Sequence, residues 1–220
     1  MHSTRHQHLP EDRRRIIVGI TGASGLLYGI RTLEVLGELG FITHLVMTKS
    51  AHITMMHETS MKVSELNKLA SVTHRVDDIA APIASGSFRT IGMIIAPCSI
   101  RTLSEIASGI TTTLLTRAAD VVLKERRKLV LLTRETPLHL GHLRSMTQVT
   151  EMGGIIMPPV PALYTRPKTV AEIVDHTVGR ALDLFDIDTK LVKRWGESEL
   201  GPAEQSAAGQ DDSGKDFRKE

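Results

Sequence analysis

Short apolar runs rich in β-branched residues alternate along this chain with longer stretches whose apolar residues recur every three to four positions. The runs cover residues 15–21 (RIIVGIT), 43–48 (THLVMT), 92–97 (GMIIAP), 129–133 (LVLLT) and 155–158 (IIMP). Continuous apolar runs of this kind predict strands covered on both faces, hence a parallel sheet. Between the first two, Leu26, Leu27, Ile30, Leu33 and Leu36 form one helical stripe, ended by Gly37 and Gly40. Residues 169–186 carry another, with Val170, Ile173, Val174, Val178, Leu182 and Phe185 inward. The β-α-β-α order predicts an α/β fold, a Rossmann-like (flavodoxin-like) three-layer sandwich with a parallel sheet. The ends break the pattern. Residues 1–14 are polar and are expected as a flexible arm, and residues 15–196 as a single domain. Residues 197–220 are expected as a disordered tail, because their last twenty residues are rich in Gly, Ser and charge and nearly devoid of large apolar groups.

Composition removes several classes. A net charge of +2, with no basic stretch interleaved with aromatics, gives no argument for nucleic acid. No apolar run reaches the length of a membrane span, and the first residues lack the apolar core of a secretory signal. The single cysteine, Cys98, excludes an internal disulfide and suits a reducing compartment, so a cytoplasmic protein is expected.

The candidate chemistry gathers at predicted strand ends. The first strand runs into Gly19-Ile-Thr-Gly22-Ala23-Ser24-Gly25, one residue too long for the G-x-G-x-x-G dinucleotide pattern. Its glycines permit a tight turn, and the following helix start offers N–H groups to an anion, with Ser24 as a possible N-cap. Thr48 ends the second strand, and Ser99, Ile100, Arg101 and Thr102 follow the third. Three strand ends lined with hydroxyls suggest a mononucleotide or flavin pocket at the carboxyl edge of the sheet. The segment 116–135, TRAADVVLKERRKLVLLTRE, places Arg117 and Lys124 seven apart on one helical face. The next strand then delivers Arg134 and Glu135 to the same carboxyl edge, a device for gripping a phosphorylated small molecule. Arg126, Arg127 and Lys128 read as a solvated helix end. His57-Glu58 starts like H-E-x-x-H, but Met61 occupies the last position, so a zinc-protease site is excluded.

The segments GITGASGLLYGIR, HLVMTKSA, SGSFRTIGMIIAPCSIRTLSEIASG, LLTRAADVVLKERRKLVLLTRETPLHLGHLRSMTQ and MPPVPALYTRP closely resemble the UbiX-type flavin prenyltransferases over about residues 15–196. The resemblance implies a homo-oligomeric enzyme, commonly a dodecamer, whose sites neighbouring subunits complete. It would join a dimethylallyl group from dimethylallyl monophosphate to N5 and C6 of reduced FMN, without a metal. The prenylated FMN would then serve a UbiD-type decarboxylase, in ubiquinone synthesis or aromatic-acid decarboxylation.

Carried over by position, the resemblance gives Gly22, Ala23, Ser24, Thr48, Ser99, Ile100, Arg101, Thr102 and Arg134 to FMN. Arg117, Lys124, Glu135, Tyr164, Arg180 and Trp195 go to the prenyl donor, with Ser24, Glu58, Lys124 and Glu135 in the chemistry. A flavin-dependent decarboxylase of the cysteine-decarboxylase-like group is the first alternative. It is disfavoured because MPPVPALYTRP lacks the asparagine of the PxMN-type substrate motif. A non-catalytic flavin carrier is the second, and it would have no need of the phosphate-gripping cations.

Overall fold

The computed structural model describes Pro10, residues 14–192 and Arg194. Six parallel strands, β1 (Arg15–Ile20), β2 (Ile42–Met47), β3 (Val72–His74), β4 (Gly92–Cys98), β5 (Lys128–Thr133) and β6 (Ile155–Ile156), lie in the order β3-β2-β1-β4-β5-β6. Seven α-helices connect and cover them among the described residues: α1 (Leu26–Glu38), α2 (Lys49–Glu58), α3 (Val63–Leu69), α4 (Ile100–Ala107), α5 (Leu114–Lys124), α6 (Leu140–Glu151) and α7 (Val170–Asp183). This is the expected α/β sandwich.

Two apolar clusters explain why the strands read as unbroken runs. Ile16, Val18 and Ile20 face the cluster under α1 and α7, whereas Ile17 faces the one under α4, α5 and α6. Successive side chains point to opposite faces, so a strand covered twice must be apolar throughout. At Gly29, in α1, a Cβ would stand 2.3 Å from the Ala96 carbonyl oxygen, so α1 lies directly on the β4 backbone.

Four of the five expected strands match within a residue or so at either end. The fifth, over 155–158, is shortened to Ile155–Ile156. The Met157 N–H still reaches the Leu131 carbonyl at 2.8 Å, but Pro158 and Pro159 have no N–H to continue the ladder. The edge strand β3 was not expected. It is three residues long, two of them exposed, and carries no apolar run. The expected arm over 1–14 and tail over 197–220 fall almost wholly outside the described residues, as does Trp195.

Candidate functional site at the sheet switch point

The strand order reverses direction between β1 and β4. β1 continues through α1 to β2 on one side, and β4 through α4 and α5 to β5 on the other, leaving a crevice at their carboxyl ends. Gly25, at φ 103°, starts α1 in a left-handed conformation that glycine adopts without penalty. The anion at this helix start belongs to the protein. The Glu58 carboxylate accepts from the Gly25 N–H at 3.0 and 3.1 Å and from the Leu26 N–H at 2.8 Å. Ser24 is therefore not the N-cap; its hydroxyl instead hydrogen-bonds to Glu58. Burial alone would raise the pKa of Glu58. The hydrogen bonds from Ser24, Leu26 and Gly25, with Arg134 nearby, outweigh it and hold the carboxyl below its ordinary value. Tyr28, one turn into α1, joins this group: burial raises its pKa, and Arg134 opposes that.

Hydroxyl caps line the rest of the crevice. Thr48 caps α2 through the Ala51 N–H at 3.2 Å, and its hydroxyl lies 3.0 Å from that of Ser50. Thr54 donates to the Gly22 carbonyl at 3.0 Å, tying α2 to the glycine turn. Ser99 caps α4 through the Thr102 N–H at 3.3 Å, and Thr113 caps α5 through Thr116. Thr48, Ser50, Ser99, Thr102 and Thr113, with Lys49 and Arg101, border a cavity of about 330 Å³. Asp77 and Glu105 also border it, and Glu105 takes up Arg101 at 3.0 Å, so the fit to FMN rests on the hydroxyls and helix-start N–H groups, which suit a phosphate-bearing polyol chain, with Lys49 beside them. Arg134 hangs at the end of β5, its N–H on the Cys98 carbonyl at 3.0 Å, and Glu135 follows it with its carboxylate on the Thr136 N–H.

Within one chain, the expected prenyl-donor residues do not converge on this crevice. Arg117 and Lys124 do share a face of α5, but that face meets the segment 84–86. Arg117 donates to the Ala84 carbonyl at 3.3 Å and pairs with Asp120 at 2.7 Å. Lys124 pairs with Glu125 at 2.6 Å and stands beside Gly86, near the amino end of β5 and opposite Glu135. Tyr164 hydrogen-bonds His176 at 3.3 Å on the exposed face of α7. One turn on, Arg180 shares Asp183 with Arg194. Arg127 also departs from expectation. Its guanidinium is largely buried and donates to the Phe88 and Gly86 carbonyls at 2.8 and 2.7 Å, so it pins that loop.

A flavoprotein family model matches residues 3–194. The chain is 58% identical over 181 residues to the flavin prenyltransferase UbiX of Thauera aromatica, covering 82% of this chain and 93% of that protein. The chain belongs to the UbiX flavin prenyltransferase family. Among solved structures of the family, AnUbiX (PadA1) in complex with FMN and dimethylallyl pyrophosphate superposes with a TM-score of 0.83 at 50% identity, covering 85% of this chain and all of that one. A dodecameric FMN-dependent UbiX-like decarboxylase from Escherichia coli O157:H7 gives 0.81 at 47%, covering 82% and 98%.

Sequence reasoning missed Tyr28, Ser50, Thr54 and Thr113 in this family member. Tyr28 lies four residues after Ser24, and Thr113 directly precedes the apolar stripe of α5; both signals were legible. Ser50 and Thr54 sit on α2, where only Ala51 and Met55 are buried, so no stripe marked that helix. No helix among the described residues is long and apolar enough to cross a membrane.

Proposed function

We propose that this chain is a flavin prenyltransferase, joining the dimethylallyl group of dimethylallyl monophosphate to N5 and C6 of reduced FMN. The observation that carries the reading is the ionised Glu58 carboxylate. Ser24 and the start of α1 hold it beside Arg134, at the carboxyl edge of the sheet that the hydroxyl-lined cavity also occupies. Bound there, reduced FMN supplies the electron-rich ring that accepts the prenyl carbon. Thr48, Ser99 and Thr102, with the Ile100 and Arg101 backbone, would hold its phosphate side, and the Gly22–Ala23 backbone, where the lack of a Cβ on Gly22 lets Ser50 close in, would face the ring. Arg134, near Glu58, would hold it from the β5 side. Ser24 and Glu58 hold and move the proton at N5.

Breaking the donor's carbon–oxygen bond leaves a phosphate dianion that fixed cations stabilise. Arg117, Lys124 and Arg180 supply the charge, Tyr164 a hydroxyl, Glu135 a proton-exchanging carboxylate, and Trp195 a closing aromatic. In a single chain Arg117 and Lys124 lie apart from Tyr164 and Arg180, so the reading has neighbouring copies in a homo-oligomer, a dodecamer like that of the E. coli protein, complete the site. Residues 15–196 then act as one FMN-binding domain in the cytoplasm, passing prenylated FMN to a UbiD-type decarboxylase. The test is a mass spectrum of the flavin after incubation with reduced FMN and dimethylallyl monophosphate. A gain of one prenyl group is expected, and an unshifted flavin mass refutes the proposal.

A further inference from the structure

The two walls of the crevice belong to different branches of the chain, and the sheet does not hold them together at their tips. The β1–β4 ladder pairs Ile17 with Met93, Val18 with Ile94 and Gly19 with Ile95, then stops. β4 is also irregular against β5 between Ile95 and Cys98. Beyond Ile95, the glycine turn on one side and the Ser99–Thr102 helix start on the other have no regular pairing to set their separation.

One side chain bridges the gap. Thr21 is fully buried; its hydroxyl donates to the Pro97 carbonyl at 2.8 Å and accepts from the Ser99 N–H at 2.8 Å. Its own N–H reaches the same Pro97 carbonyl at 3.2 Å. Among the described residues, the hydrogen bonds that join segment 21–25 to segment 97–102 all run through Thr21. Committed to one donor and one acceptor, the hydroxyl is fixed in rotation, and the β-branched side chain that carries it is stiff at χ1. The residues on either side contact the ligand in the reading above: Gly22 follows Thr21 directly, and Ser99 passes the constraint on through its cap to Thr102.

We propose that Thr21 is a positioning residue that holds the glycine turn and the start of α4 at the separation FMN requires, and so sets flavin affinity. This inference rests on the flavin reading. Thr21→Val preserves the shape but removes the hydroxyl, leaving the Ser99 N–H without its acceptor; Thr21→Ser keeps the hydroxyl. With the full-length oligomer, FMN binding measured by flavin fluorescence should weaken at least about tenfold in Thr21→Val. Thr21→Ser should restore it to near the wild-type value. In turnover, KM for FMN should rise with a smaller change in kcat. If Thr21→Val lowers the thermal midpoint yet its folded protein binds FMN as wild type does, Thr21 is merely structural and the proposal is overturned.

A second measurement needs no variant. In the FMN-free wild-type protein, hydrogen exchange at the Ser99 amide should be strongly slowed, and exchange at the rate of an open amide also overturns the proposal. Failure of the wild-type protein to bind FMN at all would instead remove the flavin reading, so the two failures are distinguishable.

Discussion

His44 should make the protein acid-sensitive by an amount that its surroundings specify. The side chain is 5% exposed on β2, with Nδ1 2.9 Å from Nε2 of His74 on the edge strand. The two rings stack at 5.2 Å, and Phe88 meets His44 edge-on at 5.1 Å. Arg15 lies over the Phe88 ring, and the buried Nε2 of His44 has no hydrogen-bond partner to share an added proton. Burial, then His74, then Arg15 push the His44 pKa down from 6.5 to about 4. His74 is lowered as well, by burial, with Asp78 opposing.

Since His44 stays neutral in the folded protein and protonates near 6.5 when unfolded, the unfolded state binds more protons between those values. Its contribution is therefore complete above about pH 6.5 and is lost as pH falls toward 4. At 1.36 kcal/mol per pH unit, the loss approaches about 3 kcal/mol. Urea denaturation of wild type, His44→Leu and His74→Leu at pH 7 and pH 4 isolates this effect, because groups away from the pair cancel in the difference and the second variant accounts for the coupled His74. Wild type should lose about 3 kcal/mol more than His44→Leu, and the His44 ring proton should not titrate by NMR until near pH 4. Parallel pH profiles, or a His44 midpoint above 6, would refute the burial argument.

Glu58→Gln keeps an acceptor at the start of α1 but no proton acceptor for the flavin. Prenyl transfer should fall by about 10²- to 10⁴-fold with little change in FMN binding, and full turnover would remove the proton role. Gly29→Ala puts a methyl 2.3 Å from the Ala96 oxygen and should cost about 1–3 kcal/mol by chemical denaturation. Cys98 is fully buried and its thiol is pushed far up by burial, so a thiol reagent should label it only after unfolding; rapid labelling of the native protein would contradict that placement. Finally, subunits carrying Glu58→Gln, mixed and reassembled with subunits carrying Lys124→Ala, should regain activity in the hybrids. Failure to complement would place Lys124 outside the shared site.

What the sequence disclosed depended on how far each signal reaches along the chain. Strands buried on both faces must be apolar at every position, so β1, β2, β4 and β5 were legible from local composition alone. β3 was not, because its three residues are held by backbone pairing to β2, flanked by reciprocal Thr43–Ser71 hydrogen bonds and the His44–His74 contact, none of which leaves a periodic trace. The site divides in the same way. A glycine turn after a strand and a hydroxyl before a helix are local devices, and Gly22, Thr48 and Ser99 stand where their neighbours in sequence imply. Glu58 is thirty-two residues from the N–H that it holds most closely, and only the fold shows that it, rather than Ser24, satisfies the start of α1. Arg117 and Lys124 mark the limit of such reading. Helical spacing correctly puts them on one face, but it says nothing about which surface that face meets. In the folded chain the face meets segment 84–86, away from Glu135. There Arg117 and Lys124 are paired with Asp120 and Glu125, so their part in the proposed site is a matter of assembly, which neither helical spacing nor one chain's fold can display.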